Sequence, residues 1–332
     1  MPSSSDHALN SLGSRQIQNV GIIGGGVMGC GIALEFALAG RTVTLFNTRP
    51  ETSQRVHGRI ERDLTLLLES GLVTAAQASA ALARLRRTTV LAEAISGQDY
   101  LSENVPEDLA LKQQVFQEMD RLAPPDVLLT SNTSALSVTA LALRCTHPER
   151  VLSVHYYQPA HLIPLVDVIP GERTAPEALQ AARRLMEALG KEPVVFARDV
   201  PGSVGPRLQA ALVGEALRIV QEGVATPEMV DRILTQSVGR RLGVTGIFER
   251  LDLAGLDTVV AILRGAGRPV PSLLAEKMER GELGLKSGRG FYVWTPEAIA
   301  AFEERVARHL SEQLRKDRAR GQLPTPPAEE EP

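Results

Sequence analysis

NVGIIGGGVMGCGIALEFALAGRTVTLF, residues 19–46, decides the class of fold. Asn19–Ile23 is an apolar run of strand length, and it leads straight into Gly24-Gly25-Gly26-Val27-Met28-Gly29. Cys30–Ala39 follows as an apolar helix, Gly40 stops it, and Thr42–Phe46 reads as a second strand. The glycines keep the spacing G-x-G-x-x-G between a strand and a helix, the setting in which that spacing carries meaning. Gly24 permits the tight turn, Gly26 lets a pyrophosphate approach the backbone, and Gly29 lets the helix pack closely on the sheet. The free N–H groups of the helix start, at Val27 and Met28, then face the phosphates with the positive end of the helix dipole. The stretch predicts a doubly wound α/β sheet that binds a dinucleotide.

Where the second strand ends, an acid would ordinarily accept hydrogen bonds from the adenine ribose, and here the residues are Asn47, Thr48 and Arg49. Asn47 tolerates a 2′-phosphate that a carboxylate would repel, and Arg49 can pair with it, so NAD is expected and NADP stays open. Residues 51–86 read as a helical pair around Gly71. Arg55, Arg59 and Arg62 lie on its first helix, either on a solvated face or against a phosphorylated substrate tail. A strand at Tyr100–Val105, a helix at Leu109–Leu122 and a strand at Val127–Thr130 extend the alternation. The last strand runs into Ser131-Asn132-Thr133-Ser134, a hydroxyl- and amide-rich loop placed where open parallel sheets bind ligands.

Val151–Ile169 reads as two apolar strands, Val151–Val154 and Leu165–Ile169, joined by a loop that carries His155, Gln158, Pro159 and His161. If the strands lie side by side, Asp167 reaches the imidazole of His155, fixes its tautomer and stabilises its protonated form. A core histidine beside a rim carboxylate is the alternative. Further on, a helix at Pro176–Leu189 and a strand at Pro193–Phe196 lead to Arg198-Asp199-Val200-Pro201-Gly202, which reads as a hinge. From Gly205 onward the pattern is helical, over Leu208–Gln221, Thr226–Val238 and Leu251–Leu263, with amphipathic leucine- and valine-rich faces. Residues 296–320 suggest an added amphipathic helix, and the proline-rich acidic end PTPPAEEEP suggests disorder.

The bulk numbers agree with a globular chain long enough for two domains. The chain has 332 residues, 43% hydrophobic and 23% charged, with a formal net charge of −3, which gives no general attraction to nucleic acid or to an anionic membrane. Cys30 and Cys145 have no metal-ligand spacing and suit a reducing compartment, so a cytoplasmic setting is expected. The polar start MPSSSDHALNSLGSRQ reads as a disordered leader without an apolar signal core, and no apolar run approaches the length of a membrane span.

Taken together, the segments resemble the bacterial branch of the L-3-hydroxyacyl-CoA dehydrogenases over about residues 18–295. VGIIGGGVMGCGIA, ENVPEDLALK, TSNTSAL, VHYYQPAHLIPLVDVI, ARDVPGSVGPRLQ, LDLAGLDT and KSGRGFYVW stand in that family's order. The resemblance implies a Rossmann-type sheet followed by an all-α dimerisation domain: 17–199 for the dinucleotide, 200–296 for substrate and dimerisation, and 297–332 as an extra helix and tail. It implies oxidation of a 3-hydroxyacyl thioester to the 3-oxo form with NAD in a homodimer. A free 3-hydroxy acid, a carrier-protein thioester, or a weakly active cofactor-binding relative remain alternatives.

The resemblance further implies that His155 is the general base, that Asp167 stands where the family has an orienting glutamate, and that Ser134 hydrogen-bonds the substrate oxygen. Glu107 and Lys112 match positions that contact the cofactor, alongside Gly24, Gly26, Val27, Met28, Gly29, Asn47, Arg49 and Asn132; no metal is implied. The sequence departs from the family pattern at Pro206, where an asparagine is usual. It departs also at Asp167, one methylene short of glutamate, at Gln158, and at Ser203 in place of a phenylalanine.

Overall fold

A computed structural model describes residues 16–199 and 201–321. The expected leader, the acidic tail and the hinge residue Val200 lie largely or wholly outside the described residues. The chain divides into two compact units, 1–211 and 212–332.

The first unit is built on one eight-stranded sheet: β1 (Asn19–Ile23), β2 (Thr42–Phe46), β3 (Leu85–Thr88), β4 (Tyr100–Glu103), β5 (Leu128–Ser131), β6 (Val151–Tyr156), β7 (Leu165–Pro170) and β8 (Glu192–Val195). Their spatial order is β3-β2-β1-β4-β5-β6-β7-β8. Every pairing is parallel except β6 with β7. The chain order reverses between β1 and β4, so the loops after these two strands open a crevice at the carboxyl edge of the sheet, where such folds hold ligands.

The inner strands β1, β4, β5, β6 and β7 are buried because helices cover both faces of the sheet. These are α1 (Val27–Leu38), α2 (Pro50–Glu69), α3 (Ala75–Arg84), α4 (Leu91–Ile95), α5 (Leu109–Leu122), α6 (Val138–Leu141) and α7 (Pro176–Ala188). Alternate residues of β1 serve the two sides: Val20 and Ile22 join a core with Phe36, Ile60 and Met186, while Ile23 joins one with Ile95, Phe116 and Leu141. An all-parallel strand of this kind reads in sequence as an unbroken apolar run, and NVGII does.

Three elements differ from expectation. The sequence suggests a helix through Leu85, but LRRT forms β3, because it pairs with β2 from Val43 to Phe46. As the outermost strand it is partly exposed and shows no apolar alternation, so its backbone partners, not its side chains, make it a strand. The short helix α4 had no expectation at all. The expected helix Leu251–Leu263 is likewise two helices, broken at Gly255, whose φ of 88° is open to glycine and closed to most other residues.

α8 (Val204–Gln221) contains the division between the units. The second unit continues with α9 (Pro227–Ile233), α10 (Gly239–Leu242), α11 (Ile247–Ala254), α12 (Leu256–Gly265), α13 (Ser272–Glu279) and α14 (Pro296–Ala319). Its small core joins Leu256, Val260 and Leu274. Asp252 is fully buried and ties the GRGFYVW segment down, accepting hydrogen bonds from Phe291 N (2.9 Å), Tyr292 N (3.0 Å) and Trp294 Nε1 (2.9 Å). α14 is the expected added helix; Phe302 stacks edge-on against Trp294, and Asp317 pairs with Arg240. Among the described residues no helix is long and apolar enough to cross a membrane.

Candidate active site

The glycine turn has the backbone that its spacing demands. Gly24 has φ 109°, and a Cβ there would lie 2.5 Å from Asn104 O, so the loops after β1 and β4 meet without room for a side chain. A Cβ at Gly29 would stand 1.9 Å from Gly24 O, so only glycine lets α1 begin this close to the turn. Around the Cβ position of Gly26, by contrast, no atom beyond its own chain neighbours lies within 4 Å. The N-terminus of α1 has no side-chain cap, so its first N–H groups, near the partly exposed Val27 and Met28, are left for an external acceptor.

Asn47 is buried behind the turn; its Oδ1 accepts from Gly25 N at 3.1 Å, while its Nδ2 has no protein partner. An open cradle at Gly26, uncapped N–H groups and an orphaned amide at the end of β2 together fit the pyrophosphate and adenosine ribose of NAD. Arg49 stands exposed at the entry to α2. A cavity of about 570 Å³ adjoins the turn, walled by Gly25, Gly26 and Val27 on one side and by Arg55, Arg59 and Arg62 on the other.

Across the crevice, a buried polar cluster shapes the loop after β5. Lys112 places Nζ 2.8 and 3.0 Å from the two Glu103 oxygens, 3.1 Å from Val105 O and 3.3 Å from Glu107 Oε2. Glu103 also accepts from Ser131 Oγ (2.6 Å) and Val105 N (2.6 Å). Burial pushes the Glu103 carboxyl up from the ordinary glutamate range, against the pull of Lys112. Glu107 Oε1 in turn accepts from Thr133 Oγ1 (2.5 Å), Ser134 N (3.1 Å) and Ala135 N (2.9 Å). Burial alone would raise the Glu107 carboxyl, but these donors and Lys112 outweigh it and hold the group below its usual value. Lys112 is thus 1% exposed with its donors engaged inside the protein, although the sequence suggested a cofactor contact. Asn132 accepts from Tyr156 N at 2.8 Å and joins this loop to the end of β6.

β6 and β7 are antiparallel neighbours with His155 directly opposite Asp167. Ser134 Oγ lies 3.1 Å from His155 Nε2, and His155 Nδ1 lies 3.4 Å from Asp167 Oδ2. Both members of the pair are buried. Burial would raise the Asp167 carboxyl, but hydrogen bonds from His155 and Tyr157 outweigh it and keep the group below the ordinary aspartate value. The arrangement can take a proton at Nε2, at the exposed end of the relay beside Ser134, and balance the resulting charge with Asp167.

Pro206 falls in the first turn of α8, where a missing N–H costs no helical hydrogen bond. Two residues of the site escaped sequence reasoning. Glu103 is visible only as an acid ending an apolar strand. Tyr157, whose hydroxyl donates to Asp167 Oδ2 at 2.7 Å, looks in sequence like one more aromatic. Among the described residues no cluster of acids, histidines or cysteines could hold a metal ion.

Residues 19–200 match the family model for the 3-hydroxyacyl-CoA dehydrogenase NAD binding domain, and residues 202–294 match the model for the C-terminal domain of the same family. The chain is 35% identical over 301 residues to a 5-formyl-3-hydroxy-2-methylpyridine 4-carboxylate 5-dehydrogenase of Mesorhizobium japonicum, covering 89% of this chain and 96% of that protein. It is 34% identical over 285 residues to a probable 3-hydroxybutyryl-CoA dehydrogenase of Bacillus subtilis, covering 83% and 97% of the two. The solved structure of a 3-hydroxyacyl-CoA dehydrogenase from Archaeoglobus fulgidus superposes with a TM-score of 0.72 at 31% identity, over 90% of this chain and 98% of the other. With its NAD-binding sheet and its helical second unit, the chain belongs to the 3-hydroxyacyl-CoA dehydrogenase family of NAD-dependent oxidoreductases.

Proposed function

We propose that the chain interconverts a 3-hydroxyacyl thioester of CoA and its 3-oxo form, with His155 as general base, Asp167 as the anion that orients it and Ser134 as a donor to the substrate oxygen. The observation that carries this reading is the unbroken relay from Ser134 Oγ through His155 Nε2 and Nδ1 to Asp167 Oδ2. In the oxidative direction His155 Nε2 takes the proton of the 3-hydroxyl, and Asp167 stabilises the imidazolium that results. Ser134 Oγ holds the same oxygen, while Glu107 fixes the Ser134 backbone and Lys112 fixes Glu107. NAD, when bound, accepts the hydride from C3. Gly24, Gly26, Val27, Met28 and Gly29 would receive its pyrophosphate, and Asn47, Arg49 and Asn132 lie along its path at the strand ends. Pro206 has neither a side-chain amide nor an N–H to offer the substrate.

The three arginines beside the glycine turn favour a phosphorylated acyl carrier. A second reading, a free carboxylate substrate, draws on the pyridine carboxylate in the name of the M. japonicum relative. A second copy of the chain is the proposed partner, supported by apolar side chains that the second unit leaves exposed, among them Leu217, Ile233 and Ile262. The free, buried cysteines suit the proposed cytoplasmic setting.

Acetoacetyl-CoA and free acetoacetate, each with NADH and with NADPH, separate these readings in a steady-state assay. The thioester with NADH is expected to turn over, and His155→Ala is expected to lower kcat by about 10²–10⁴-fold, the usual contribution of a general base. Turnover that survives the loss of His155, or confined to the free acid, overturns the proposal.

A further inference from the structure

Asp167 Oδ2 faces two donors, and the shorter contact is not the one to the histidine. Tyr157 Oη donates to that oxygen at 2.7 Å, while His155 Nδ1 stands 3.4 Å from it. Tyr157 directly follows β6 and turns its ring back over the pair, edge-on to the imidazole, with centroids 4.8 Å apart and planes at 72°. We propose that Tyr157 is a positioning residue that takes a share of the Asp167 charge and so limits how strongly this carboxylate holds His155. The proposal rests on the reading of His155 as the base.

The hydroxyl is held in place from the far side as well. A Cβ at Gly205, in the first turn of α8, would lie 2.0 Å from Tyr157 Oη, so this turn approaches the phenol only because residue 205 lacks a side chain. Burial first, and then the neighbouring Asp167, push the Tyr157 hydroxyl up from its ordinary range, so it stays protonated and donates.

The other polar groups around the pair do not duplicate this contact. Ser134 faces the opposite ring nitrogen at 3.1 Å, and behind it Glu107 and Lys112 are engaged with each other and with the loop. Ser203 Oγ is buried beside the pair without a hydrogen bond of ordinary geometry, and its pull on the Asp167 carboxyl ranks behind those of His155 and Tyr157. From β8, Val194 pairs with Asp167 and brings no titratable group. Asp167 therefore divides its charge chiefly between one phenol and one imidazole, with Ser203 behind them. A carboxylate that accepts a strong hydrogen bond elsewhere stabilises an imidazolium less.

Tyr157→Phe removes the competing donor and leaves the ring. In oxidation of 3-hydroxybutyryl-CoA with NAD, the acid limb of the kcat/KM profile is expected to move up by about half a pH unit to one unit, since a fully available Asp167 favours the protonated imidazole. A change in packing alone would lower the plateau without moving the limb. A second readout needs no turnover: the His155 ring nitrogen shifts of ¹⁵N-histidine-labelled protein, read through the carbon-bound ring protons and assigned by their loss in His155→Gln. The Nδ1 shift is expected to move in the direction of a stronger hydrogen bond.

Gly205→Ala keeps the hydroxyl and drives it off Asp167, and the same two changes are expected. Limb and ring shifts unmoved in both variants, or moved the opposite way, overturn the assignment. Ring shifts that move as expected in a protein that turns over no 3-hydroxyacyl substrate sustain the Tyr157 contact and sink the dehydrogenation reading.

Discussion

The Glu103–Lys112 pair offers a test of what holds the substrate-side loop. Both side chains are essentially fully buried, and Glu103 accepts from four donor contacts: two from Lys112 and one each from Ser131 Oγ and Val105 N. Glu103→Ala leaves the ammonium with Val105 O at 3.1 Å and Glu107 Oε2 at 3.3 Å. Breaking one side of a buried ion pair costs about 3–5 kcal/mol. The orphaned Ser131 and Val105 donors add to the loss, and Glu107 recovers part of it by closing on Lys112, so a net of about 4 kcal/mol is expected. At roughly 1.4 kcal/mol per tenfold, that corresponds to about a thousandfold faster hydrogen exchange in the β4 and β5 amides, if these exchange through the opening the pair resists.

The companion variant Glu103→Leu/Lys112→Met removes both charges. It is expected to recover about 1–3 kcal/mol, because no ion is then buried alone, while the Ser131 and Val105 donors stay unpaired. Hydrogen–deuterium exchange of peptides spanning Tyr100–Glu103 and Leu128–Ser131 measures both. Exchange within about fivefold of the parent in Glu103→Ala, or no recovery in the double variant, would refute the view that this pair organises the loop.

Two further outcomes follow from the same reasoning. Burial raises Glu35 to about 7 against its partner Lys191, 3.0 Å away. A carboxyl raised in the folded state adds stability that is fully present below its unfolded value of 4.5 and lost as pH rises through about 7. The parent is therefore expected to lose about 2–3 kcal/mol relative to Glu35→Gln between those limits, read from urea midpoints at each pH; parallel pH dependences would count against it. In the second unit, Asp252→Ala strands three buried or half-buried donors, and a loss of about 3–4 kcal/mol with a changed Trp294 emission is expected. An unaltered urea transition would show that Asp252 does not anchor the segment.

Much of this protein can be read without coordinates because the relevant signals are local. A strand buried on both faces must be an apolar run, a turn that admits a pyrophosphate must use glycine, and a helix leaving that turn must pack without side chains in the way. NVGIIGGGVMG satisfies all three within eleven residues. His155 was likewise visible as an imidazole just past one apolar run and Asp167 as the one acid within the next, while the antiparallel register that sets them face to face belongs to the structure.

The remaining features depend on residues far apart in the chain. LRRT is a strand because β2 offers its edge. Lys112 is a buried brace and not an open cation because Glu103 ends the strand beside its helix. Tyr157 belongs to the site because its hydroxyl returns to Asp167, ten residues on, while Gly205 leaves room for it. Periodicity and motif spacing report which faces of an element are buried. Which polar atoms then meet inside is set by strand order and register, and for this protein that decided how the histidine, its carboxylate and the loop beside them are held.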